Sequence, residues 1–459
     1  MNPASLPRDV VLPSLATHQT PGQHYALFLP PDYDPVALPE RRWPVLVILD
    51  PRGRAVESLK LAVEGARRNG WVVLSSYQSR SDTQEELTVD AIRALLAEAR
   101  TVIASDSRRL YFAGMSGTAK TLWGVMPSMD GVMAGMIGCG GARPTEYGRF
   151  RVSPPPFFGL AGSTDFNYGE MHAQEDLLAK TDTPHRLDVF AGGHGWPQEV
   201  TDFTRAIDWL QLMAIRDGRV GVDPEFIAAQ RNATESWIGA AADALERLRR
   251  TEQAIRDFDG LVEVDGWRSS LRELTNDDRV KALRKQQKKL DAQEARFARD
   301  FDTWFTRFAA RFEEGRRLPP PDAGGSLREL RIAALQKEAT GNDRRDADSA
   351  SRRLERAYVA TSFYLPNAMT AMGDTERAAL SLEIAMRIFP DRAGPHWQLA
   401  ALHARDGSVD KAFRELHRSR DLGYLDAGDL RRNSDWSSLR EDGRWNALLE
   451  RADTTAHRH

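Results

Sequence analysis

Cysteine is nearly missing: Cys139 is the single one in 459 residues. No intramolecular disulfide and no thiolate metal cluster can form, and cysteine usage therefore gives no guide to compartment. Long apolar runs are missing as well. No stretch approaches the ~20 consecutive apolar residues of a membrane-spanning helix, so no integral membrane segment is expected. The first eleven residues also lack the apolar core of a secretory signal. The chain is expected to be cytoplasmic if complete, or periplasmic or secreted if a signal peptide has been removed; a strand-like run as early as Tyr25 to Leu29 accommodates the second case. Neither sign of charge is in excess. Lysine and arginine number 63 against 66 aspartates and glutamates, a formal net charge of -3, which gives no electrostatic reason to expect nucleic acid as a partner.

What is present is enough apolar material, 41% of residues, for two or three domains of roughly 100–200 residues each. Residues 1–216 alternate short β-rich runs with helical ones. Trp43 to Leu49 (WPVLVIL) is a continuous apolar run, as a strand buried on both faces requires. Val56 to Arg68 follows as a helix ending at Asn69-Gly70. Further strands are predicted at Trp71 to Ser75, Leu110 to Ala113, Met133 to Ile137, Phe157 to Ala161 and Leu187 to Phe190. Helices are predicted at Gln84 to Ala104, near Tyr168 to Lys180 and near Glu199 to Met213. Strands separated by helices imply an α/β fold, a doubly wound, mostly parallel sheet covered on both faces.

Glycine becomes scarce after about residue 225. Ile238, Ala241, Leu245, Leu248 and Ile255 form one apolar stripe; Val280, Leu283, Leu290, Phe297, Phe301, Trp304 and Phe308 form another, with Gln287 and Glu294 as polar interruptions. Two stripes joined through residues 260–276 predict a long antiparallel helical hairpin over 217–316. Its basic run Arg279 to Lys289 reads as a solvated face. Residues 317–326 (RLPPPDAGGS) read as a Pro/Gly linker. From 327 to 459 a repeat appears. Gly373, Ala378, Leu382, Phe363 and Ile388 recur as Gly407, Ala412, Leu416, Trp397 and Leu422, offset by 34 residues. With Pro390 closing the first unit, this resembles the tetratricopeptide repeat, a stacking helix-turn-helix. Pro366 predicts a kink in the first helix, and Tyr424 stands in place of a second closing proline.

The stretch YFAGMSGT runs from a predicted strand into a predicted helix and shows Ser116 at the turn. A serine placed so has its hydroxyl pushed out of the sheet edge, although Thr118 takes the position of the last glycine in Gly-x-Ser-x-Gly. A nucleophilic serine needs a histidine to take its proton and a carboxylate to orient that histidine. Asp165 follows the run Phe157 to Ala161, and His194 follows Leu187 to Phe190. The order is serine, acid, histidine, each beyond the carboxyl end of a strand, where loops 49 and 29 positions apart converge on one sheet edge. The other candidates, His172, Asp176, His185 and Asp188, fall inside a helix or within or before a strand.

WPVLVILDPRG, YFAGMSGT, GLAGSTDFN and FAGGHGWP together resemble the α/β-hydrolase superfamily over residues ~20–216, in the branch of small serine esterases such as feruloyl esterases, dienelactone hydrolases and polyhydroxybutyrate depolymerase-like proteins. The resemblance implies a carboxylic ester hydrolase working through an acyl-enzyme, with no cofactor and no metal. It implies an oxyanion hole made by the N–H of Gly117 and an N–H of the loop Asp50 to Arg54. Pro51 has none, so Arg52 is the candidate there. Many relatives carry His-Gly where this chain has Asp50-Pro51. Phe166 and Trp196, adjacent to acid and base, are the candidate substrate-binding residues. The fold class is then an α/β-hydrolase domain followed by the all-α hairpin and tetratricopeptide-like repeats. The partner is a small or exposed ester, with a protein partner a further option through the repeats. A serine peptidase shares the triad, and a non-catalytic hydrolase-fold scaffold is the alternative from another class; only an enzyme has reason to keep Ser116, Asp165 and His194 together.

Overall fold

A computed structural model of the chain describes residues 5–82, 85–313, 316–319 and 321–456. They form two compact units, Met1–Lys288 and Lys289–His459. In the first, eight strands make one sheet: β1 (Val11–Ala16), β2 (His24–Phe28), β3 (Trp43–Leu49), β4 (Val72–Ser76), β5 (Ser105–Met115), β6 (Met133–Cys139), β7 (Phe157–Gly162) and β8 (His185–Phe190). The order is β1-β2-β4-β3-β5-β6-β7-β8. β2 runs antiparallel to both its neighbours, β1 and β4, and the pairs from β4 to β8 are parallel. The helices are α1 (Ala55–Asn69), α2 (Glu85–Thr101), α3 (Gly117–Val125), α4 (Tyr168–Leu178) and α5 (Val200–Arg216). Alternation along β3 explains its unbroken apolar sequence. Leu46 and Ile48 join a core with Leu59 of α1 and Ile207 of α5, while Val45, Val47 and Leu49 join another with Leu95 of α2 and Leu122 of α3. This is the doubly wound architecture that the α/β-hydrolase resemblance implies. The extra strand β1 is an antiparallel edge whose register shifts between Leu12 and Leu15, around Pro13, and proline is tolerated at such an edge.

The first unit does not end at residue 216. Three more helices, α6 (Pro224–Gly239), α7 (Ala244–Phe258) and α8 (Asp265–Asn276), belong to it. Ile227 of α6 and Phe258 of α7 share the core of Phe158 and Trp209. Beneath them, Arg186 of β8 makes a two-pronged ion pair with Asp188 and lies 3.6 Å from Asp257 of α7. Its guanidinium stacks 4.0 Å from the Trp237 ring of α6. Burial pushes both carboxyls up. At Asp188 the guanidiniums of Arg186 and Arg205 outweigh that and hold it below the usual range; at Asp257, Arg186 and the bonds from Trp209 and Gln253 do not, and its carboxyl stays raised.

The predicted hairpin over 217–316 is correspondingly revised. Its first arm is two helices, broken between Gly239 and Ala244, where Asp243 caps α7 by accepting from Glu246 N and Glu246 reaches back to Ala242 N. This is a variant of the capping box in which the N–H before the cap residue takes the place of the cap's own. The expected joint at 260–276 is largely the helix α8. The second arm is the single helix α9 (Asp278–Ala309). Val280 packs with Leu245 and Leu248 in the first unit, and Phe301, Trp304 and Phe308 pack with Leu330, Leu335 and Leu354 in the second. The polar interruption Glu294 is an ion-pair partner for Arg352, at 2.6 Å.

The second unit continues through α10 (Ala323–Glu329), α11 (Ile332–Ala339), α12 (Arg344–Val359), α13 (Leu365–Ala371), α14 (Thr375–Ile388), α15 (Gly394–Arg405), α16 (Val409–Asp421), α17 (Ala427–Arg432) and α18 (Arg444–Ala456). The stretch read as a linker, 317–326, is tied down: Arg377 of α14 donates to the carbonyls of Leu318 and Pro319, and α10 starts within it at Ala323. The 34-residue offset survives in the backbone. Asp374 N bonds Met369 O and Ser408 N bonds His403 O, both at 2.8 Å; Gly373 and Gly407 both have φ 72. The kink expected at Pro366 takes the form of a π turn, Ala360–Tyr364, just before it. The wider turn accommodates a residue without an N–H.

Candidate active site

β5 and α3 meet at Ser116, whose φ of 56 and ψ of -125 lie where a side chain is strained. The fold supplies what holds it there. Gly114 lets α3 press onto β5, because a Cβ at 114 would lie 2.7 Å from Ala119 N. Ser116 N donates to Cys139 O of β6 at 2.8 Å. Thr118, the departure from the glycine motif, is fully buried and fits. Its Oγ1 donates to Leu49 O at 2.6 Å and accepts from Met115 N at 3.0 Å, so the hydroxyl bonds the end of β3 to the elbow.

The three residues predicted for the triad converge. His194 Nε2 is 2.9 Å from Ser116 Oγ, and Nδ1 is 2.9 and 3.0 Å from the two oxygens of Asp165. Asp165 is 0% exposed and His194 19%, so the carboxylate is dry and the imidazole reaches a surface. Asp165 Oδ1 also accepts from Asn167 N at 2.7 Å, and Asn167 Nδ2 donates to Gly140 O at 2.8 Å. Gly140 and Gly141, which carry no functional side chain to mark them, crowd this point. At Gly140 (φ 54) a Cβ would stand 2.7 Å from Asp165 Oδ2, and one at Gly141 would overlap the Ser116 carbonyl. The Gly-Gly pair directly after a buried strand was the available signal. The rejected histidines are engaged elsewhere: His172 with Glu175 and His185 with Thr183 O.

Gly117 opens α3, so its N–H is among those a helix leaves without an intrahelical acceptor, and it lies beside Ser116. The loop after β3 is different. Arg52 N donates to Asp50 Oδ1 at 2.8 Å, Arg54 N to the same oxygen at 3.1 Å, and Gly53 N to Asp50 O at 3.0 Å. The N–H of Arg52 thus already has an acceptor, and it can meet an oxyanion only by exchanging it. Burial pulls the Asp50 carboxyl up, but bonds from Arg54, Arg52 and Trp196 outweigh it and hold the group below the usual range. Phe166 lies against the His194 ring, with centroids 4.3 Å apart and planes tilted by 40°. Trp196 sends its indole N–H to Asp50 Oδ2, at 2.9 Å, and packs edge-on against Phe203 of α5.

Cys139 is buried beneath the site, and its thiol is pushed up by burial and by nearby Asp165, so it is no competing nucleophile. Among the described residues no three His, Cys, Asp or Glu side chains converge as metal ligands would. A cavity of ≈ 310 Å³ lined by Met126, Met133, Pro156, Pro184 and Arg219 lies at the opposite end of strands β6 to β8 and holds no triad residue.

Neither a protein-family model nor a curated protein sequence matches the chain. Among solved structures it is similar to FphF, a fluorophosphonate-binding serine hydrolase of Staphylococcus aureus, at 13% identity and a TM-score of 0.36, over 44% of this chain and 98% of that one. It is similar to S-formylglutathione hydrolase (FrmB) of the same organism at 13% identity and a TM-score of 0.37, over 45% and 98%. A Pyrobaculum calidifontis esterase matches at 15% identity and a TM-score of 0.37, over 46% and 88%.

Proposed function

We propose that the chain is a serine hydrolase acting on carboxylic esters. The observation that carries this is the hydrogen-bonded series from Ser116 Oγ through both nitrogens of His194 to buried Asp165, set on a strained turn. Ser116 Oγ attacks the ester carbonyl and passes its proton to His194 Nε2. Asp165 holds the other ring N–H and stabilises the imidazolium. The carbonyl oxygen, now anionic, is met by the Gly117 N–H, with Arg52 N as the second donor once it exchanges Asp50. Collapse expels the alcohol with the proton from His194; water then attacks the acyl-enzyme with His194 as base, releasing the acid and freeing Ser116.

The 34-residue period in sequence and backbone supports reading α13 to α16 as two tetratricopeptide-like units appended to this enzyme.

The test is a panel of p-nitrophenyl esters of increasing acyl length beside matched anilides. Ester turnover well above anilide turnover is the expected outcome. Faster anilide cleavage would move the reading to a peptidase, and no turnover of either would leave the scaffold reading.

A further inference from the structure

The base sits on a chain with little stiffness of its own. His194 lies in the run Ala191-Gly192-Gly193-His194-Gly195-Trp196, and Gly192 has φ 143. Glycine loses more backbone freedom on ordering than any other residue, so order here has to come from tertiary bonds. Before the base, Gly192 O accepts from Thr164 N and Thr164 Oγ1, both at 2.9 Å. Just after it, Gly195 O accepts from the Cys139 thiol at 3.1 Å, a weak donor. Two residues after it, Trp196 Nε1 donates to Asp50 Oδ2 at 2.9 Å, 146 positions away in sequence.

Asp50 is placed to transmit that bond. It is 1% exposed. Oδ1 accepts from Arg52 N, Arg54 N and Arg54 Nε, while Oδ2 accepts from Arg54 Nη2 and Trp196 Nε1. These donors replace the water that a buried carboxylate would otherwise lose at great cost. Its carbonyl takes Gly53 N and Ser79 Oγ, and Ser81 N donates to Pro51 O. Ser81 in turn lies so close to Gly117 that a Cβ there would overlap it. One carboxylate therefore joins the loop carrying the base to the loops beside the nucleophile.

We propose that Asp50 is a positioning residue for ester hydrolysis: through Trp196 it holds the His194 loop against the loop that follows β3, keeping base and nucleophile in register. This rests on the serine-hydrolase reading above. Asp50 touches no reacting atom. If it only stabilised the fold, the folded fraction of a variant would keep its kcat; a positioning role lowers kcat and spares KM, because ground-state binding is made elsewhere.

The experiment uses the full chain, p-nitrophenyl butyrate, and the variants Asp50→Asn, Trp196→Phe and the pair together. For Asp50→Asn, kcat should fall about 10–100-fold, the scale of a small misplacement of reacting groups, with KM within about 3-fold. Trp196→Phe, which keeps an aromatic ring and loses the donor, should cost about 5–10-fold, less than Asp50→Asn because the bonds of Asp50 to Arg52 and Arg54 remain, and the double variant should match Asp50→Asn within about 2-fold, because Trp196 acts through Asp50. Multiplying losses in the double variant, or an unchanged kcat in Asp50→Asn, overturns the proposal. Amide hydrogen exchange gives a readout free of activity. Residues 191–196 should lose protection in Asp50→Asn while β3 and α1 keep theirs; unchanged protection of 191–196 overturns the proposal too. Failure of the hydrolase reading looks different, with the native chain turning over no ester while the exchange pattern still shifts.

Discussion

In the helical unit Gly373 and Gly407 close two turns with φ 72 each, and a Cβ at either would meet nothing within 4 Å. At the catalytic edge of the sheet unit, Gly140 also has positive φ, 54, but a Cβ there would stand 2.7 Å from Asp165 Oδ2 and 3.2 Å from His194 Nδ1. The first pair answers to backbone conformation alone. The second answers to neighbours, since backbone and titratable side chains approach closely only where no side chain intervenes. Positive φ by itself thus marks a turn; positive φ with no spare room marks the proposed chemistry. The same contrast holds for polar burial: buried Asp374 starts α14 in the helical unit by accepting from Arg377 N, while Asp50, Asp165, Asn167 and Thr118 bind loops to one another at the sheet edge.

The strongest attack on this division is Arg186→Met, which leaves Asp257 and Asp188 buried with fewer cations. It should destabilise the first unit by about 3–5 kcal/mol, read as a fall in the urea midpoint of that unit's transition. An equal fall for the second unit would break the two-unit description. Next, Gly140→Ala should lower kcat at least about 100-fold, about 2.7 kcal/mol in activation free energy, in a chain that still folds by circular dichroism. Thr118→Val comes third. Removing the hydroxyl leaves the buried Met115 N–H without its acceptor, at about 1–3 kcal/mol of stability, measured by denaturant titration. Gly407→Ala closes the series with about 1 kcal/mol from forcing a Cβ into positive φ and ester turnover unchanged. If Gly140→Ala and Gly407→Ala behaved alike in turnover, the contrast between the two glycine roles would be lost.

Much of this was legible in the sequence because it is local. The run WPVLVIL is a strand buried on both faces, and β3 has the predicted bounds. Ser116, Asp165 and His194 stood out because each follows its own apolar strand, and parallel topology brings such positions to one edge. Thr118 looked like a fault because the motif rewards a small residue there; its compensating bond to Leu49 O crosses 69 positions and leaves no local trace. The bond between Asp50 and Trp196 was hidden for the same reason, since it crosses 146 positions. The broken helical arm had a local sign, the Asp243-x-x-Glu246 capping box, but alanines 240–242 carry the helical pattern across the break and masked it. The end of the first unit was obscured because the stripes of α6 and α7 are apolar whether they face each other or the sheet.

The proposed activity depends on Ser116 as the nucleophile, set up by His194 and Asp165. Its most direct test is labelling of the full chain with a fluorophosphonate, followed by peptide mass mapping. The prediction is covalent modification of Ser116 in the native chain, none in Ser116→Ala, and a labelling rate reduced by at least about 1,000-fold in His194→Ala. A native chain that takes no label, or a Ser116→Ala chain that labels as well as the native one, would contradict it.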